Sequence, residues 1–205
     1  MKARETRARG PYGPYTPEET RRDLLAASLE LFGRNGFDGT SVNQIVEKAG
    51  VTKGAFYHHF QSKEDVLQKI HHEYASQMVA GAREVAASDA EPIEKLRSII
   101  TRAVIAFGRY RSYVAVFYQE FRVLSKSTFG EVRTLHDEEE NILLGIIEDA
   151  RAAGQLRPAT DAKLLVFAIS GVSAWLYQWY DQRGPMTIEE IADGLADIIL
   201  TGVVP

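Results

Sequence analysis

The sequence predicts an all-α chain of about nine helices, and three observations carry that expectation. Apolar residues recur at three- and four-residue intervals along most of the 205 positions, with few period-two β-branched runs and no hairpin turn signals. Capping residues open the periodic segments, and glycine or proline closes them. Residues 41–60, SVNQIVEKAGVTKGAFYHHF, compress two short helices and a tight turn into one stretch.

The elements follow in order. Residues 1–15 carry Gly10, Pro11, Gly13 and Pro14 and read as a tail. Thr16-Pro17-Glu18-Glu19 opens the first helix with a capping hydroxyl, a first-turn proline and two acids. Leu24, Leu25, Ser28, Leu31 and Phe32 form its inner stripe, and Gly36 ends it. Gly33, Gly36 and Gly39 resemble a phosphate loop only in composition, because they lie between two helices and follow no strand.

Ser41 and Gln44 have capping-box spacing for the second helix. Val42, Ile45, Val46 and Ala49 are its apolar stripe, and Gly50 closes it. Val51 plugs the turn, and Thr52 caps a third helix bearing Lys53, Gly54, Tyr57, His58 and His59. A helix this short, with many polar heads, adds little to a core and suits a DNA major groove. Val42, Ile45, Val46, Val51, Ala55, Phe56 and Phe60 are the expected core of this unit.

Ser62-Lys63-Glu64-Asp65 starts a fourth helix running to about Ala87, which links the head to the rest of the chain. Pro92 lies in the first turn of a fifth, interrupted at Gly108. Helices over roughly 113–125, 128–153 and 161–182 follow, punctuated by Gly154, Pro158, Gly184 and Pro185. Thr187 and Glu190 form a capping box for a last helix to about Leu200.

Composition narrows the function. Without cysteine there are no disulfides, thiolate zinc sites or cysteine nucleophiles, which agrees with a reducing cytoplasm, the expected location. The N-terminus has no apolar signal region, and no window approaches the length of a membrane span. The net charge of −4 is uneven. Residues 1–63 hold ten Lys/Arg against seven Asp/Glu, a net of +3, leaving −7 on the remainder. A basic head on an acidic body would orient the chain on DNA.

The motifs LFGRNGFDGTSV, IVEKAGVTKG, FYHHF and SKEDVL, in this order over about residues 18–78, resemble the TetR family of bacterial transcriptional regulators. The resemblance implies an N-terminal three-helix helix-turn-helix DNA-binding domain and a C-terminal helical domain for ligand binding and dimerisation. The expected organisation is a flexible basic tail over 1–15, a DNA-binding domain over 16–62 (a family-type unit over 18–78, motif 41–60) and an effector-binding and dimerisation domain over 63–205. The implied partners are a pseudo-palindromic double-stranded operator, a hydrophobic small-molecule effector and a second copy of the chain, with no membrane and no cofactor.

Carried over position by position, the resemblance gives Thr40, Ser41 and Thr52 phosphate contacts through hydroxyls or helix-start amides. Lys53 and Gly54 would approach a base edge or a phosphate. Tyr57 and His59 would face the DNA backbone, His58 a base or phosphate, and Lys63 would clamp a phosphate. Arg4, Arg7 and Arg9 either follow the DNA or belong to a solvated end.

In the body, Phe107, Tyr110, Val114, Phe117, Tyr118 and Phe121 form an aromatic-rich stretch that Ile146 and its neighbours can face. Such a stripe is either plain core or the wall of an apolar ligand cavity. Trp175 is either a further wall residue or part of an interface. FYQEFRVLS and WYDQRGPMTIEEIADGLADIILTGV are similar to the family branch that senses acyl-CoA esters, for which Arg102, Arg109, Arg111 and Arg122 are candidate donors. Leu164, Ala168, Gly171, Trp175 and Trp179, with Ile188, Ile191, Leu195 and Ile198, make apolar faces suited to a four-helix dimer interface.

Two other classes compete. His71-His72-Glu73 and the His136, Glu140 pair hint at a metal enzyme, yet a metal site needs three or more converging ligands. No nucleophile elbow, Walker loop or HExxH motif is present, so no enzymatic activity is expected. An activator or effector-independent DNA binder is the other alternative.

Overall fold

The computed structural model describes residues 16–110, 114 and 130–205. Among them every regular element is a helix: α1 Pro17–Asn35, α2 Val42–Ala49, α3 Lys53–His59, α4 Lys63–Ala86, α5 Pro92–Arg109, α6 Gly130–Ala152, α7 Ala162–Trp179 and α8 Ile188–Thr201. The predicted helix over 113–125 and the arginines of the tail lie outside the described residues.

Local chemistry sets the helix starts. The Thr16/Glu19, Ser41/Gln44 and Thr187/Glu190 pairs all form reciprocal capping boxes. The Thr52 hydroxyl accepts from the Ala55 amide, and Asp161 accepts from Leu164. Asp65 reaches back to the Gln61 amide, one residue earlier than the expected Ser62. Gly50, at φ 68 and ψ 29, supplies the left-handed cap that ends α2.

The described residues form two compact units, 16–71 and a second of residues 72–110, 114 and 130–205. In the first, α1, α2 and α3 enclose Leu24, Phe32, Phe37, Ile45, Phe56 and Phe60, all essentially buried. Val66, Leu67 and Ile70 of α4 are buried as well.

In the second unit α5 packs against α6, α7 and α8. One cluster gathers Leu96, Ile100, Leu143, Ile146, Ile147, Leu165 and Leu200. Another gathers Val104, Leu176, Tyr180, Ile188 and Ile191. Two helix ends differ from expectation. Gly108 does not interrupt α5, which continues to Arg109; a Cβ at 108 would overlap the Ile188 side chain of α8, so glycine here serves helix packing. α7 stops at Trp179 rather than 182, because Tyr180 turns extended and buries its ring in the second cluster.

Candidate nucleic-acid interface and C-terminal cavity

The third helix divides cleanly by side. Phe56 is fully buried, with Phe60 stacked near it at 5.8 Å between ring centroids. Thr52, Lys53, Gly54, Tyr57 and His58 are exposed, Tyr57 by 57% although it is a large aromatic. Nothing in the protein requires glycine at 54: a Cβ there would meet only the Thr52 hydroxyl, at an ordinary 3.7 Å. A seven-residue helix that holds one side in the core and turns a lysine, a bare Cα, a phenol and an imidazole outward is built to be read from outside. Beside it, Ser41 is exposed, and its hydroxyl is held by Gln44 at 2.9 Å.

Three neighbouring side chains are committed inward. Thr40 is 2% exposed, and its hydroxyl donates to the carbonyls of Leu31 (3.2 Å) and Gly36 (2.8 Å). Its amide bonds Phe37 at 3.2 Å. The Lys63 ammonium donates to the carbonyls of Phe37 (2.7 Å) and Thr40 (3.2 Å) and lies 4.2 Å from the Phe37 ring centroid. His59 is half-buried. Burial holds its imidazole below the ordinary histidine value, the His58 and Arg21 charges act in the same direction, and Glu18 opposes them.

The second unit contains a cavity of about 300 Å³. Its wall is largely apolar, with Met78, Ile99 and Ile105 prominent, and its polar residues are Gln77, Arg102, Tyr110 and Glu139. Arg102 bonds Glu84 at 3.0 Å, and Tyr110 donates to Gln77 at 3.2 Å. No described side chain bonds the Glu139 carboxyl, and burial pushes it up to about 7.

Residues 24–70 match the model of bacterial regulatory proteins of the tetR family, and residues 89–203, more than half of the chain, match the tetracyclin repressor-like C-terminal domain. The chain belongs to the TetR family. It is therefore a DNA-binding transcriptional regulator, not an enzyme, and the exposed side of α3 lies in the family's helix-turn-helix domain. The HTH-type transcriptional repressor KstR2 of Mycolicibacterium smegmatis is 26% identical over 194 residues, covering 94% of this chain and 95% of that one. Among solved structures, KstR2 of Mycobacterium tuberculosis superposes with a TM-score of 0.83 at 23% identity, over 96% of this chain and all of that one, a likeness of fold. AibR, solved in complex with isovaleryl coenzyme A and operator DNA, superposes with a TM-score of 0.77 at 26% identity, over 87% of this TetR-family chain and 97% of AibR.

Three of the expected phosphate contacts of this TetR-family chain are also engaged inside the protein. Thr40 has no hydroxyl or amide hydrogen left for a phosphate; it closes the α1–α2 turn. Lys63 spends two of its three donors on that same turn, which leaves one for another acceptor. His59 feels Arg21 and Glu18 of α1, and its lowered pKa leaves a single ring N–H to donate when the imidazole is neutral.

Of the predicted effector contacts among the described residues, Tyr110 alone lines the cavity. Ile146 is 4% exposed in the first core cluster, Phe107 packs against the second, and Val114 is buried. Trp175 is 60% exposed on the outer side of α7. Phe117, Tyr118 and Phe121 lie outside the described residues, as do Arg111 and Arg122.

The cavity's acid, Glu139, went unread because it stands in the run Asp137–Glu140, which looks like a solvated face. Yet it shares a helical face with Leu143 and Ile146, and a carboxylate on an apolar stripe was the available signal. Among the described residues no three His, Asp or Glu side chains gather to hold a metal ion, and no helix is long and apolar enough to cross a membrane.

Proposed function

We propose that the chain binds a pseudo-palindromic operator as a homodimer and represses until an uncharged or thioester-bearing hydrophobic molecule, an acyl-CoA among them, occupies the C-terminal unit. The observation that carries the DNA half is the exposed side of α3 over the buried Phe56. One such helix covers a few base pairs, so two copies must act on paired half-sites.

Selecting fragments from a genomic library and measuring affinity by gel shift tests this. Lys53→Ala and Tyr57→Ala are each expected to weaken operator binding by about 1–3 kcal/mol. Gly54→Ala should melt like the parent, since the new methyl has room, yet bind DNA more weakly. Parental affinity in all three variants would remove α3 from the interface.

The homodimer rests on α7. Leu164, Phe167, Trp175 and Trp179 lie on one helical face and are each at least half exposed, with Ala168 and Gly171 between them allowing close approach. Ile198 of α8 is exposed too. A paired four-helix interface would cover such surface. Trp175→Asp should sediment as a monomer and lose more than about 2 kcal/mol of operator affinity, as expected for a buried aromatic anchor. A dimeric Trp175→Asp protein with unchanged DNA binding would move the interface elsewhere.

The effector half is supported by AibR, which was solved in complex with isovaleryl coenzyme A and operator DNA, and by the partly apolar cavity of the second unit. A ligand releases DNA only as far as it prefers the non-binding arrangement, and operator must weaken ligand binding by the same factor. Titrating acyl-CoAs of increasing length against a preformed operator complex reads this directly. Failure of every chain length to release DNA would reject the acyl-CoA class.

A further inference from the structure

The cavity of the second unit offers polar chemistry that is almost entirely used up internally. Tyr110 and Gln77 bond each other, and Arg102 is held by Glu84. Glu139 is the exception, a half-buried carboxyl lining the cavity with no described partner.

We propose that the cavity takes an uncharged apolar molecule through a carbonyl oxygen that accepts a hydrogen bond from the Glu139 carboxyl. The proposal rests on the small-molecule-sensor reading above and specifies the chemistry of its ligand.

Three classes of polar group can be weighed against the site. An amine cation must give up its hydration in a largely apolar wall. The Glu139 carboxyl, pushed up to about 7 by burial, is largely uncharged at pH 6 and offers it no counterion there. A ligand carboxylate would face Glu139, and two carboxylates cannot both ionise in a confined apolar space. A ketone, ester or thioester brings no charge to desolvate, and its oxygen satisfies the one carboxyl left open. The remaining wall, with Met78, Ala82, Ile99, Ala103, Ile105 and Ala106, suits an aliphatic body.

The protonation state agrees with this. Burial alone pushes the Glu139 carboxyl up to about 7, and a ligand that expels the remaining water raises it further. The charged groups around it among the described residues are largely paired. Arg83 of α4 bonds Glu138 at 2.6 Å, Arg102 of α5 bonds Glu84 of α4, and Lys163 of α7 bonds Glu140. Desolvation holds the His136 imidazole below its ordinary value, with Asp137 opposing. The site therefore presents a neutral acid as a donor below about pH 7.

Titration calorimetry on the full chain, with 2-decanone, decanoate and decylamine at pH 6 and pH 8, tests the proposal. The ketone should bind tightest of the three. It should bind roughly tenfold more weakly at pH 8, because only the protonated fraction of Glu139 is competent. Glu139→Gln should abolish that pH dependence and keep ketone affinity, since an amide N–H also donates. Glu139→Leu should lose ketone affinity at both pH values. Melting curves at pH 8 check the fold. A carboxyl raised by burial stabilises the protein at acid pH and loses that contribution as pH rises through about 7, so the Gln variant should melt no lower than the parent there.

Tighter binding of the amine or the acid, absence of ketone binding at pH 6, or a pH-independent parent would each overturn the assignment. Operator release by acyl-CoA with no ketone binding would reject Glu139 and leave the sensor reading standing. Ketone binding as described, without any acyl-CoA response, would keep Glu139 as the ligand contact and reject the acyl-CoA class alone.

Discussion

Lys63→Met is expected to destabilise the N-terminal unit by about 2–4 kcal/mol, since each of two hydrogen bonds from a charged donor is worth roughly 1.5–3 kcal/mol and the site is half-buried. Methionine keeps the aliphatic reach over the Phe37 ring but leaves the carbonyls of Phe37 and Thr40 without their donor. Those carbonyls belong to the turn that delivers α2, and through it α3, to the surface. Urea unfolding should show a lower midpoint, and operator binding should weaken alongside it. The salt dependence of binding discriminates this from a phosphate contact. If Lys63 acted on phosphate, the slope of log affinity against log salt would flatten by about one per contact while stability stayed near parental. An unchanged urea midpoint with a flattened slope would sink the internal role.

Gly39→Ala should cost about 1–3 kcal/mol, in the range of overpacking. A Cβ at 39 would overlap the carbonyl oxygen of Asn35, which is backbone at the end of α1 and cannot rotate away as a side-chain tip would. The same turn already contains Gly36 at φ 75, and it is tied by the Thr40 hydroxyl and the Lys63 ammonium. The chain must therefore move at α1 or at the turn. Thermal melting of the full chain should show the loss, and DNA binding should fall with the folded fraction. Parental melting in Gly39→Ala would mean that the turn relaxes freely, which those two ties argue against. Gly54→Ala is the useful contrast: the protein leaves space at that position, so any loss there belongs to the DNA.

Much of this was legible in the residues alone. Capping boxes at Thr16, Ser41 and Thr187 act over three residues, so spacing revealed them, and the same locality made Gly50 readable as a helix stop. The alternation of buried Ile45, Val46, Phe56 and Phe60 with exposed Lys53, Tyr57 and His58 follows helical periodicity and needed no coordinates. The outward stripe of α7 was less plain. Leu165 and Leu176 of the same helix are core, and a helix apolar nearly all round does not say which side its own protein takes.

The family, the helical class and the reading helix were thus determined by the sequence itself, through short-range patterns that neighbouring residues impose on one another. The tertiary structure decided the fate of groups whose partners are distant in the chain. Lys63 meets carbonyls more than twenty residues earlier, Gly108 meets Ile188, and Glu139 lines the same cavity as Arg102. A lysine, a glycine and a glutamate look the same in sequence whether solvated or enclosed. What distinguishes them is which surfaces the packed helices bring within a few ångströms, and that is set by the packing of whole elements.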